Sequence, residues 1–222
     1  MSKFYLDAGT TWSKILEITD DNEKKYSVIK SSSLKDFQNI IFEKTTGHNF
    51  NHVQKKEHVN EVVALVKGCE HLIKPDGIVL DLGSRDIKWA KYKNDNFSDM
   101  DWNSSCASAT GATIEMLLKF YNLNVSDLEF TKDRYSVTCG IFGLEQIMDD
   151  ISNGLSAKVA ISKFVHGIAF NAYNFTKTPE KIFISGGFCE NKCFLDSLSY
   201  YTEVVSIGRF VLVDGLSRLP LC

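Results

Sequence analysis

The 222 residues include 44% hydrophobic and 24% charged residues. That is the ordinary range of a chain able to bury a core as one large domain or two small lobes. A formal net charge of −3 leaves no electrostatic footprint for nucleic acid. No apolar run approaches the roughly 20 residues of a membrane span. The opening Met1-Ser2-Lys3-Phe4-Tyr5-Leu6-Asp7 meets an acid too early for a secretory signal. The expected address is therefore cytoplasmic, with neither nucleic acid nor membrane as a partner. In that setting six cysteines are free thiols, metal ligands or reactive groups rather than a disulfide framework. The close pair Cys189 and Cys193 has no second pair to complete a zinc site.

In chain order, Phe4 to Leu6 reads as a short buried strand, followed by a turn at Gly9-Thr10-Thr11. Lys14 to Ile18 and Tyr26 to Lys30 read as two further strands joined by the polar Asp20-Asp21-Asn22. Ile40 to Phe42 is a fourth candidate strand, ending at Thr45-Thr46-Gly47. Val59, Val62, Val63 and Val66 then follow helical spacing until Pro75-Asp76-Gly77. Ile78 to Gly83 reads as a buried strand entering a glycine turn, with Ile87 to Tyr92 as its hairpin partner. Strand, Asp-x-Gly turn and lysine-bearing strand have thus occurred twice, a two-copy duplication offset by about 75 residues. Three helical stripes follow: Ile114 to Tyr121, Leu144 to Ile151 and Ile161 to Ile168. Lys181 to Ser185 is a strand broken by Gly186-Gly187, and the interleaving implies a mixed α/β fold.

Asp7-Ala8-Gly9-Thr10-Thr11 and Asp81-Leu82-Gly83-Ser84 share one chemical logic. Glycine lets the backbone approach a phosphate, and successive N–H groups can cradle the anion. Thr10, Thr11 and Ser84 add hydroxyl donors, and Lys14 adds a cation on the following strand. A carboxylate repels phosphate directly, so Asp7 and Asp81 make sense through Mg²⁺ or a polarised water. Either turn alone reads first as an ordinary hairpin turn; it is the recurrence of the pattern that favours the phosphate reading. Gly186-Gly187 supplies a third turn at a strand end, where open α/β sheets place ligands.

This arrangement resembles the phosphate-1, phosphate-2 and adenosine motifs of the actin, Hsp70 and sugar kinase superfamily. The resemblance implies two ribonuclease H-like lobes, here residues 1–76 and 77–222. It also implies an ATP site built from Asp7, Gly9, Thr10, Thr11, Lys14, Asp81, Gly83, Gly186 and Gly187.

Cys106 and Cys139 each shortly precede a helical stripe, near helix N-termini where peptide dipoles favour a thiolate and stabilise an anionic metal cluster. They stand 33 positions apart, too far for a local finger. If they bind metal together, the fold or a dimer axis must bring them together. Two ligands per chain fall short of the four an iron–sulfur cluster takes, so a symmetric dimer would supply the set. Plain packing of a buried thiol is the competing reading.

The ordered series Asp7-Ala8-Gly9-Thr10-Thr11 with Lys14, Thr46-Gly47, Asn60-Glu61-Val62-Val63 with Gly68, and Asp81-Leu82-Gly83-Ser84-Arg85-Asp86 with Lys88 resembles one family. It continues through Asn103, Cys106-Ala107-Ser108-Ala109-Thr110-Gly111, Cys139-Gly140-Ile141-Phe142, and Gly186-Gly187 with Asn191. The family is the ATP-dependent activators of 2-hydroxyacyl-CoA dehydratases, with the related ATPase subunits of benzoyl-CoA reductase. The resemblance covers about residues 3 to 198. It implies ATP or ADP with Mg²⁺, and a homodimer holding one [4Fe-4S] cluster between Cys106 and Cys139 of the two copies. It further implies a ferredoxin or flavodoxin donor, and ATP-driven transfer of one low-potential electron to a dehydratase or reductase partner. Glu61 falls in the family's interlobe element, which implies contact with a bound water or Mg²⁺; a solvated helix carboxylate is the alternative.

The chain also differs from the family. Ser84 and Arg85 stand where the second turn usually reads Gly-Gln, and Ala109 stands where the cysteine loop has glycine. Only Ser31 to Phe37 separates the early hairpin from the fourth strand, so the first lobe is expected to be shortened. Gly208 to Gly215 lacks the usual Gly-Ala-Ala helix. A small-molecule kinase of the same superfamily, such as a pantothenate kinase-like enzyme, shares the two turns and needs no cysteines. A non-catalytic protein on this nucleotide-binding fold is the third reading.

Overall fold

The computed structural model describes residues 2–103, 110–137 and 140–220, so Cys106, Cys139 and Cys222 lie outside the described residues. The described residues fall into two compact units. The first holds the chain up to Asp76, Tyr92–Ser98 and the chain from Arg209 onward; the second holds Gly77–Lys91 and Asp99–Gly208.

In the first unit, β1 (Lys3–Asp7), β2 (Trp12–Ile18), β3 (Lys24–Lys30), β4 (Ile41–Thr46) and β5 (Gln54–His58) form one sheet in the order β3-β2-β1-β4-β5. The first three strands run antiparallel, with Asp7 opposite Lys14, whereas β4 pairs parallel to β1 and β5 parallel to β4. Leu6, Ala8, Ile15, Leu34, Phe42 and Val53 form the core on this sheet. Between β3 and β4, Ser31–Phe37 forms a 3-10 helix that buries Leu34, where the resemblance implies further chain.

Helix α1 (Glu61–Cys69) follows β5. It begins two residues later than the valine spacing predicts, because the Asn60 side chain accepts from Val62 N at 2.8 Å and caps the first turn. Val59 instead bonds its N–H to Thr45 O at 2.8 Å and ends the strand.

The second unit's sheet holds β6 (Gly77–Leu82), β7 (Ile87–Lys93) and β8 (Asn96–Asn103), with the Tyr92–Ser98 tip of that hairpin grouped with the first unit, and these precede α2 (Gly111–Phe120), α3 (Gly140–Ser152) and α4 (Ala157–Phe175). Then come β9 (Lys181–Gly186), α5 (Lys192–Ser199) and β10 (Glu203–Ser206). The sheet order is β10-β9-β6-β7-β8, with β9 parallel to β6 and to β10. Asn94 and Asp95, at φ 51° and 63°, turn β7 into β8, the backbone a tight hairpin requires. Leu80, Leu82, Ile147, Phe164, Val165 and Ile184 are central to the core between sheet and helices. Counted in its own chain order, each sheet reads 3-2-1-4-5. The duplication seen in two turns is thus a duplication of two ribonuclease H-like units.

Three strands, β5, β8 and β10, are absent from the sequence reading, and none of them holds a fully buried residue. β5 reads Gln-Lys-Lys-Glu-His, and every residue of β8 is exposed, so neither shows apolar alternation. Among the described residues, no helix is long and apolar enough to cross a membrane.

The C-terminus corrects two expectations. Val211–Arg218 forms a helix, α6, within the stretch read as lacking one. It belongs to the first unit, although the sequence reading groups residues 77–222 together. Helix α6 crosses α1 at backbone contact: a Cβ on Gly215 would lie 1.9 Å from Ala64 O, and one on Gly68 2.1 Å from Val211 O. The glycine that interrupts the helical pattern is therefore what permits the crossing. Gly215→Ala is expected to lower stability by roughly 1–3 kcal/mol through overpacking. Urea unfolding checks this; an unchanged midpoint would contradict the crossing.

Candidate functional site

The site residues of the first unit gather at the end of β1. Asp7, 4% exposed, is its last residue. Antiparallel pairing puts Lys14 directly across, and Lys14 Nζ donates to Asp7 Oδ2 at 2.7 Å. Gly9, Thr10 and Thr11 lie in the turn between these strands. On the other side β4 ends at Thr46, paired with Asp7, and Gly47 follows at φ 87°. A Cβ on Gly47 would meet Ala8 backbone atoms at 2.5 to 2.9 Å.

The second unit repeats this frame. Asp81, also 4% exposed, stands near the end of β6, and Lys88 Nζ on β7 lies 3.7 Å from Asp81 Oδ2. Lys88 stands seven residues after Asp81, as Lys14 does after Asp7, and that spacing is its sequence signal. The lysine is shared with Asp86, both of whose carboxylate oxygens are 3.4 Å away. Trp102 Nε1 donates to Asp86 Oδ2 at 2.8 Å. Parallel pairing sets Ser185 opposite Asp81, as Thr46 is opposite Asp7. Gly186 follows at φ 81°, where a Cβ would lie 2.2 Å from Asp81 Oδ1. Only glycine leaves that carboxylate its place.

The carbonyls of the second turn are held from behind by the start of α2. Gly83 O accepts from Gly111 N at 3.2 Å, and Ser84 O accepts from Ala112 N at 3.1 Å. Ser84 O also accepts from Thr110 Oγ1 at 2.5 Å. In a planar trans peptide the N–H points opposite to the carbonyl. The N–H groups of Ser84 and Arg85 therefore face away from α2, an arrangement that suits an anion. The Arg85 side chain is exposed. Trp102 and Thr110, on either side of the segment bearing Cys106, are thus both bonded to this turn.

Glu61 is the first residue of α1 and is buried, at 9% exposed, rather than a solvated carboxylate. His48 Nδ1 lies 3.4 Å from Glu61 Oε1, a pairing that no local spacing reveals. Gly187 differs from Gly186, because a Cβ there would meet nothing within 4 Å. Cys189 and Cys193 are buried. Burial pushes the Cys193 thiol up to about 11, and it donates to Glu129 O at 3.4 Å. A thiol held protonated at neutral pH is a poor metal ligand. The structure thus assembles Asp7, Gly9, Thr10, Thr11 and Lys14 in one unit, and Asp81, Gly83, Ser84 and Gly186 in the other. Asp86, Lys88 and Trp102 join the second group.

No family model matches the chain. Over 186 residues it is 22% identical to the (R)-2-hydroxyglutaryl-CoA dehydratase activating ATPase of Acidaminococcus fermentans, covering 72% of this chain and 71% of that protein. Over 137 residues it is 23% identical to the activator of lactoyl-CoA dehydratase of Anaerotignum propionicum, covering 58% of this chain and 52% of that one. In structure it is similar to the activator of the 2-hydroxyisocaproyl-CoA dehydratase from Clostridium difficile, solved with bound ADPNP. The TM-score is 0.81 at 18% identity, with 98% of this chain and 93% of that chain covered. The resemblance to dehydratase activators and the actin-like ATPase fold are both borne out by these comparisons.

Removing Lys88 would take away the cation that two buried carboxylates, Asp81 and Asp86, share. Lys88→Met is expected to cost about 3 kcal/mol, and more than Lys14→Met, because the Lys88 side chain is 3% exposed and that of Lys14 is 15% exposed. Urea unfolding of both variants checks this; equal midpoints would show that Lys88 does not bridge Asp81 and Asp86.

Proposed function

We propose that this chain is an ATP-dependent activator: it binds MgATP at the Asp7 and Asp81 turns and uses its hydrolysis to drive one low-potential electron into a 2-hydroxyacyl-CoA dehydratase or related reductase. The observation that carries the reading is the sequence likeness to two proteins named as dehydratase activators. The geometry supports it. Each unit offers a strand-end carboxylate suited to Mg²⁺, a neighbouring lysine and a glycine turn with hydroxyl donors. Gly9, Thr10, Thr11, Gly83 and Ser84 would bind phosphate, Gly186 and Gly187 would border the adenosine, and Glu61 would orient water or metal. In this reading Cys106 and Cys139 of two copies hold a [4Fe-4S] cluster, which supplies one-electron chemistry when bound. A ferredoxin or flavodoxin is the donor.

Anaerobic reconstitution followed by iron and sulfide analysis, with ATPase assays on the same preparation, tests the reading. The expected result is about four iron atoms per dimer, lost in Cys106→Ala and in Cys139→Ala, and ATP turnover lost in Asp81→Asn. An iron-free protein that phosphorylates a small substrate would overturn it in favour of a kinase. A protein that binds no MgATP would leave a non-catalytic fold relative.

A further inference from the structure

The two turns are held in place by different means. In the second, backbone N–H groups of α2 do most of the holding. In the first, two residues distant in sequence take the carbonyls in succession. Ala8 O accepts from Asn49 N at 2.9 Å, and Gly9 O accepts from Asn49 Nδ2 at 2.7 Å. Thr10 O accepts more weakly from the same Nδ2 at 3.4 Å. Gly9 O also accepts from Ser31 Oγ at 2.7 Å, and Thr11 O accepts from Ser31 N at 2.9 Å. Ser13 Oγ lies 2.8 Å from Ser31 Oγ and buttresses it. Four successive carbonyls are therefore drawn back. Because each peptide is planar and trans, the N–H groups of Gly9, Thr10, Thr11 and Trp12 each point opposite to a tethered carbonyl. Thr10 is exposed, so a ligand has access to the turn.

We infer that Asn49, assisted by Ser31, is a positioning residue for the first turn: it sets how tightly the chain holds nucleotide phosphate without touching the phosphate itself. Asn49 stands two residues past Gly47, and its own backbone N–H is already committed to Ala8 O. Its side-chain amide is thus anchored at short range, and its Nδ2 protons go to carbonyls of the turn. A carboxylate of the same shape has no donor and would turn negative charge on the same oxygens.

The inference rests on reading the first turn as a phosphate site, and the experiment separates the two. MgATP affinity of the full chain is measured by calorimetry for the wild type and for Asn49→Asp, Asn49→Ala, Ser31→Ala and Gln54→Ala. Gln54 Nε2 donates to Gln38 O at 3.0 Å, away from the turn, and controls for a merely structural hydrogen bond in the same unit. Two lost hydrogen bonds predict about tenfold weaker binding in Asn49→Asp. Ser31→Ala is expected to be weakened less, and Gln54→Ala to stay within about twofold. Hydrogen exchange of the Gly9 to Trp12 amides in the nucleotide-free protein should speed up in the Asn49 variants and not in Gln54→Ala. If Asn49→Asp fails to fold, Asn49→Ala carries the comparison. Wild-type affinity in the folded Asn49 variants overturns the inference and leaves the site reading standing. A wild type that binds no MgATP overturns both.

Discussion

A carboxylate buried at the end of a strand needs a compensating charge and clear space, and here those two needs shape both units. Asp7 and Asp81 are each 4% exposed. Compensation comes from a lysine on the next strand, which requires antiparallel pairing across a short turn. Space comes from the strand on the other side, which must run out into glycine, Gly47 or Gly186, because a side chain there would enter the carboxylate or the backbone beside it. Strand one is thus committed to strand two on one edge and to strand four on the other, which is the centre of the 3-2-1-4-5 order. A buried ion pair of this kind is a weak source of net stability, but breaking it is costly, so it selects one arrangement over its alternatives.

The two copies use the frame differently. In the first, the lysine holds Asp7 tightly at 2.7 Å. In the second, Lys88 is spread over Asp81 and Asp86, and Trp102 holds Asp86 as well. The second turn is therefore joined to the chain before and after the segment of Cys106, through Trp102 and Thr110. In the proposed function, anything that shifts this turn also bears on the flanks of the cysteine segment, and that is the route by which phosphate chemistry would reach it. The carbonyls of the first turn are tethered instead to Ser31 and Asn49.

Much of the frame was legible in the sequence because it is local. Asp-x-Gly followed by a lysine-bearing strand occupies eight positions, and its recurrence announced the two units before any pairing was known. The buried strands and helices α2, α3 and α4 of the second unit were likewise carried by apolar spacing, whereas α5 was not read. β5 and β8 were not, because an exposed edge strand buries no face and leaves no periodicity. Helix α6 was missed for the opposite reason: its Gly215, which breaks the pattern, is required by contact with α1, far away in sequence.

By itself the sequence determined the residue types of the site, the duplication and the likeness to ATP-dependent activators, since each is written in short ordered motifs. The tertiary structure alone decided which groups meet. Thr46-Gly47 comes beside Asp7, and Ser185-Gly186 beside Asp81, through parallel pairing across long connections whose register no local spacing encodes. Asn49 and Ser31 meet at Gly9 O, and Trp102 meets Asp86, for the same reason: a hydrogen bond forms between atoms brought within about 3 Å, and only the folded chain sets that distance.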